Sequence, residues 1–275
     1  MGKIAPLPFD RGFLMKSLNY KHLTTAGSIL LTLMVSGCAT TPEHPIAQRI
    51  NQDMVLVEGG SFSMGSDANS AKKAETPARE VTVNSFYISK FEVTQEIFES
   101  VMGSSMSYFP NPQVPVNNLS WQQAVYFVDQ LNELTGENYR LPTEAEWEFA
   151  AKGGNKSEGY IYSGSNNLDD VAWYSKNSEN SAHPVGLKQP NELGLYDMTG
   201  NVGEFVIDAF DDTYYRYAPS DNPNNAKHSD IGLSHKSVRG GSFAYDSDES
   251  ESYRRDFASQ SITMSDMGLR LVKDK

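Results

Sequence analysis

Between Met54 and Val272 the apolar positions change period several times, and each change marks an element. MVLVEGGSFSMGS (54–66) places apolar residues on either side of Gly59-Gly60 and predicts two short strands joined as a hairpin. A polar stretch with no apolar period (67–80) reads as a loop. Val81, Val83, Phe86 and Ile88 then alternate as a half-buried strand does. Helical spacing follows. Thr94 can cap a short helix that carries Ile97, Phe98, Val101 and Met102 and ends at Gly103. Ser120 and Gln123 make a capping box ahead of Ala124, Phe127, Val128, Leu131 and Leu134, and Gly136 closes that helix. Thr143 and Glu146 make a second box, with Ala145, Phe149 and Ala150 as the apolar face. Beyond Gly153 the chain is rich in Gly, Ser and Asn, and only short strands are predicted, such as 237–239 and 269–272. The pattern describes one α+β domain with few helices, short strands and much irregular chain.

The N-terminal part follows another logic. AGSILLTLMVSG (26–37) is an apolar run of export-signal length, preceded by Lys16 and Lys21 and too short for a stable membrane span. It ends in Val35-Ser36-Gly37-Cys38, which resembles the lipobox of bacterial lipoproteins. That resemblance implies cleavage before Cys38 and diacylation of its thiol, with the acyl chains holding the protein to a membrane. Cys38 is the only cysteine in the chain. Ala39 follows it, not Asp, which by the same resemblance favours the outer membrane in a Gram-negative cell. Residues 1–37 are thus expected to be a signal peptide, with Met15 opening a more ordinary one than Met1. Residues 38–53, polar with Pro42 and Pro45, are expected to tether residues 54–273 to the lipid.

Composition narrows the partners. The chain has 275 residues and a net charge of −12, and the basic residues of the signal segment make the remainder more acidic still. Such a surface repels phosphate backbones, which argues against nucleic acid. It suits solubility, a cation, or an envelope protein or glycan as partner.

Seven segments together resemble one family: MVLVEGGSFSMGS (54), SFYISKFEVTQEIF (85), PVNNLSWQQAVYF (115), YRLPTEAEWEFAAKGG (139), QPNELGLYDMTGNVGEF (189), VRGGSF (238) and MGLRLV (267). Their order and spacing are similar to those of the formylglycine-generating enzymes, or sulfatase-modifying factors. The resemblance implies a fold related to the C-type lectins. It also implies an oxidase that converts a substrate cysteine to formylglycine with copper held by two cysteines, one shortly after the RGGSF-like motif and one five residues on. Here Tyr245 and Ser250 stand at those places. Neither supplies the soft thiolate that selects Cu(I), so no copper is expected. The former active-site groove is expected at Ser242, Tyr245, Asp246, Asp248 and Ser250.

The resemblance also implies a structural calcium ion held by the Asn201 side chain, the Val202 carbonyl and Glu204, which are hard oxygen donors. Gly203 replaces the usual Trp, and Gly186 stands where a second calcium site would have an acid. A plain turn held by an Asn side chain is the alternative for 201–204. Glu144 and Glu148 lie on one helical face and could form an acid/base pair, but helix capping and the macrodipole account for acids there more simply. Two acidic patches, Asp208/Asp211/Asp212 with Tyr214, Tyr215 and Tyr217, and Asp246/Asp248/Glu249/Glu251, read first as solvated loops. The leading expectation is a membrane-anchored binding or envelope-assembly module without the oxidase chemistry. The competing one is an oxidoreductase of the same family, with a metal on oxygen ligands near Tyr245, Asp246 and Asp248.

Overall fold

The computed structural model describes residues 42–226 and 235–275, so the expected signal segment and Cys38 lie outside the described residues. Residues 42–275 form one unit of ten short strands and five helices among the described residues.

The first two strands are where the pattern placed them, but they do not pair with each other. β1 (Met54–Val57) pairs with β4 (Phe86–Ser89), and β2 (Gly60–Met64) pairs with β3 (Arg79–Val83). The register Val57↔Phe86 continues into Gly60↔Val83, so β1–β2 and β3–β4 are two arms of one long antiparallel ribbon, bent in the middle. The glycine pair marks that bend. A Cβ on Gly59 would sit 2.6 Å from the Val83 carbonyl oxygen, so the close approach of the two backbones excludes a side chain there.

The helices match their sequence signals because their caps are local. In α2 (Gln95–Met102) the Thr94 hydroxyl accepts from the Ile97 amide, and Gly103 closes the helix at φ 80°. In α3 (Trp121–Thr135) and α4 (Glu144–Ala151) both capping boxes form reciprocally. Leu134, counted in the apolar stripe of α3, is 44% exposed. The expected tether needs correction. Pro45–Gln52 is a helix, α1, which starts with Pro at its first turn and buries Ala47 and Ile50. Arg49 pairs with Glu96 at 2.7 Å, and the Tyr139 hydroxyl donates to Asn51 at 3.0 Å. Pro45 begins a helix here, where its fixed φ suits the first turn and its missing N–H costs nothing.

Six further strands complete the sheets. The first sheet runs β1–β4–β10–β5, with β5 (Tyr139–Arg140) and β10 (Val272–Asp274). The second runs β8–β7–β6–β9, with β6 (Gly203–Ala209) and β7 (His235–Arg239) central, and β8 (Asp256–Ser259) and β9 (Met267–Gly268) at the edges. The strand expected at 269–272 is not there: residues 269–271 link β9 to β10, and only Val272 lies in a strand. The Gly/Ser/Asn-rich stretch after α4 holds only the single-turn α5 (Leu168–Val171) and a 3-10 turn.

Helix α4 packs against β2, β3, β6 and β7. One core gathers around Trp147, Phe149, Phe86 and Tyr215; the other lies under α2 and α3 around Phe98, Phe127, Leu131 and Phe205. Full burial of a ring such as Phe127 contributes about 2–3 kcal/mol.

Candidate functional site

Strand β7 delivers the chain to the groove. Arg239 ends it, and Gly240 (φ 96°) and Gly241 (φ 69°) turn the backbone through conformations that a side chain resists. The loop that follows opens a groove of about 510 Å³ lined by Ala244, Tyr245, Asp246, Asp248, Glu249 and Asp256, with Lys72 reaching over from the 66–78 loop. The structure brings Tyr245, Asp246 and Asp248 to one groove.

It does not put Ser242 and Ser250 in the groove. Both are buried beneath it: Ser242 donates to Asp266 at 2.8 Å, and Ser250 donates to the Asp246 carbonyl at 3.1 Å. These hydroxyls tie the loop to the body. Sequence reading missed Lys72 and Asp256, which arrive from distant parts of the chain. Lys72 pairs with Glu249, and the Tyr245 hydroxyl donates to Asp256. Burial, then the bond to Asp256, pushes the Tyr245 phenol well up, so it stays a protonated donor. Asp246 accepts from Ser175 at 2.6 Å, while Asp248 is exposed with no side-chain partner among the described residues. Four carboxylates face one ammonium here. The groove offers acceptors, one fixed phenol and no thiol.

Below it lies a closed ionic scaffold. Glu144 receives Arg255 at 2.7 and 2.8 Å and Arg239 at 3.3 Å. Glu148 receives Arg239 at 2.7 Å, Lys152 at 2.6 Å and the Gly65 amide at 2.8 Å. Burial opposes the charge on Glu144, but Arg255 and Arg239 hold its carboxyl below the usual range. The pair is structural and has no free carboxyl for acid/base work. Arg140 donates to Glu146 at 2.7 and 2.8 Å. The 66–78 loop is held by Glu75, fully buried, which accepts from Arg254 at 2.9 Å and from the Arg255 amide at 3.3 Å.

The first acidic patch is corrected too. Asp208, Tyr214 and Tyr215 are buried, not solvated. Asp208 accepts from the Glu144 and Asn225 amides, and burial beside Glu144 raises its pKa to about 7.

The residues considered for calcium occupy a second buried cluster. Glu204 accepts from Arg270 at 2.7 Å and from the Trp147 indole at 2.8 Å. Asn201 donates to Glu92 at 2.8 Å, and its side-chain oxygen accepts from the His183 amide at 2.9 Å. The Val202 amide donates to Glu92 at 3.1 Å. The side-chain oxygens of Asn201 and Glu204 thus already have protein donors, and a calcium ion held by them would need those donors to turn away. The unsatisfied oxygen of this cluster belongs to a residue the sequence did not single out: Asp197 Oδ1 is buried with no hydrogen-bond partner. Burial raises the Asp197 pKa to about 6, and burial together with Asp197 and Glu204 raises Glu92 well above the carboxylate range.

A ribbon bent at a glycine pair, two short sheets, and a groove behind an Arg-Gly-Gly turn define an α+β domain of the formylglycine-generating-enzyme type. The chain matches the sulfatase-modifying factor enzyme 1-like domain over residues 40–275 and belongs to that family. Among its relatives, a "Chaperone protein LppX" of Paenibacillus barcinonensis is 36% identical over 223 residues, covering 62% of this chain and 75% of that one. An "Inactive C-alpha-formylglycine-generating enzyme 2" of Mus musculus is 28% identical, covering 67% and 78%. The solved structure of Treponema denticola variable protein 1 superposes with a TM-score of 0.69 at 29% identity, covering 81% of this chain and 95% of that one. No described helix is long and apolar enough to cross a membrane.

Proposed function

We propose that this protein is an exported lipoprotein whose domain binds an envelope partner through the Tyr245–Glu249 groove and does not perform cysteine oxidation. The carrying observation is the chemistry at the two thiol positions. One holds a phenol committed to Asp256, the other a hydroxyl buried beneath the groove, and the chain's only cysteine is Cys38. An apparatus for one-electron chemistry on Cu(I) is replaced by carboxylates suited to hydrogen-bonding and ion-pairing a partner. Relatives named as an inactive formylglycine-generating enzyme and as a chaperone support a binding reading.

Cys38 is the proposed lipid-attachment site, with the outer membrane as destination in a Gram-negative cell. The Cys38→Ser variant should move from the membrane pellet to the soluble fraction; a variant that stays in the pellet removes the anchor from this account. The oxidase alternative has its own check. The purified protein, supplied with Cu(I), dioxygen and a cysteine-containing sulfatase-type peptide, should yield no hydrazide-reactive aldehyde. A time-dependent aldehyde would restore an enzymatic function.

A further inference from the structure

The groove already holds a cation, and that cation is the chain's own. Among the described residues Lys72 is the one positive charge in the lining, against Asp246, Asp248, Glu249 and Asp256. It pairs with Glu249 from 177 residues away in sequence. Its backbone is fixed: the Lys72 N–H donates to Glu75 at 2.6 Å, and Glu75 is fully buried on Arg254 and the Arg255 amide. Its side chain is not. The Lys72 side chain is 49% exposed and that of Glu249 35%. An ion pair this open contributes little, because water and salt screen it and a long side chain loses rotamer freedom in holding it. The ammonium can therefore leave the groove while the loop that carries it stays in place.

The other acids say what could take its place. Asp256 is held by the Tyr245 phenol and Asp246 by Ser175. Asp248 is exposed without a side-chain partner among the described residues, and Glu249 beside it receives Lys72. With the ammonium away, two consecutive carboxylates stand open in the groove. Among the described residues no three of His, Cys, Asp and Glu are grouped so as to hold a metal ion, and a hard cation asks for six or more oxygens around one point. Acids spread along a groove of about 510 Å³ suit charges carried on separate long side chains.

We propose that Lys72 is a built-in plug of this groove, and that the partner presents a basic peptide segment, one of whose Lys or Arg side chains displaces Lys72 from Glu249 while a second reaches Asp248. The proposal rests on the groove being the binding surface; it adds the partner's charge and the residue that the partner must displace. At Glu249 one ion pair is exchanged for another, so the net attraction comes from Asp248 and weakens as salt rises. A segment with a single cation gains nothing over Lys72. The plug thus selects for two or more basic side chains close together.

The test uses the full chain and N-acetyl-pentaarginine amide as probe, at ~0.15 M salt, where exposed charges farther apart than about 8 Å are largely screened. Lys72→Met should bind the probe about fivefold more tightly than the parent, the gain expected from removing one exposed ion pair, and Asp248→Lys about fivefold or more weakly. Lys156→Met, the same charge change at an exposed residue outside the groove, should match the parent. In the parent, saturating probe should raise the acetylation of Lys72 by N-hydroxysuccinimidyl acetate severalfold and leave Lys156 unchanged. Unchanged or reduced labelling of Lys72 would overturn the plug. So would equal gains from Lys72→Met and Lys156→Met, which would reduce the effect to general attraction by an acidic protein. Plug and groove fail separately. If Lys72→Met binds as the parent does while Asp248→Lys still loses the probe, the groove binds and Lys72 does not guard it. If neither variant changes binding, the groove is not the site.

Discussion

Two regions, one around α4 and one in the loop after β7, are built to opposite specifications. Around α4, Glu144 and Glu148 are at most 1% exposed and each receives three or more donors, with Arg239 and Arg255 shared between them and their neighbours. In the groove, Asp246 and Asp248 are exposed, and the loop is tied down by hydroxyls beneath it. A buried charge lattice punishes the loss of any member, because each leaves an opposite charge stranded out of water. Exposed acids on a pinned loop can change with little effect on the fold. The difference separates what holds this domain together from what it presents, and it predicts that stability and binding are damaged by different substitutions.

The comparison breaks first if the lattice proves dispensable. Glu144→Ala strands Arg255 and Arg239, and unfolding in urea should show a loss of about 3–5 kcal/mol. A loss below about 1 kcal/mol would mean the lattice is ornamental. Glu75→Ala should cost less, roughly 2 kcal/mol, by stranding Arg254 and the Arg255 amide. Its signature is local: trypsin should cut at Lys72 or Lys73 while far-ultraviolet circular dichroism stays native.

The lattice also has a pH signature. Asp208, whose pKa is about 7, faces Glu144, Arg255 and Lys236. An unfolded aspartate titrates near ~3.9. The folded chain therefore holds this proton more tightly. Its stabilising contribution is full below pH ~4 and is lost as pH rises through about 7. Asp208→Asn should be less stable at pH 5, since one of two backbone amides loses its acceptor, and should show a shallower decline between pH 5 and 8. A decline as steep as the parent's would assign the proton elsewhere. The smallest stability effect belongs to the groove: Asp248→Lys should move stability by less than about 0.5 kcal/mol.

Legibility in the sequence divides along the same line. The caps Ser120/Gln123 and Thr143/Glu146 could be read because both partners lie within one turn. The bent ribbon could not. Two glycines between apolar runs look alike whether they turn a hairpin or let another strand pass, and the contact that decides it, Gly59 against Val83, is not local. Strand β6 was missed because GEFVIDA holds two acids that suggest a solvated loop, whereas Glu204 and Asp208 are buried on Arg270 and on the Glu144 amide. In the groove, Tyr245, Asp246 and Asp248 were legible from the motif before them. Lys72 and Asp256 were not, since only the fold brings them there.

Whether this groove binds a partner is tested by a crosslinked pull-down of tagged protein from native membranes. Parent and Asp248→Lys should be compared at equal abundance and equal melting temperature. One envelope protein should be recovered in near-equal amount with the parent and be strongly depleted with Asp248→Lys. The same partner recovered equally with both, and also after the 245–249 segment is replaced, would contradict it.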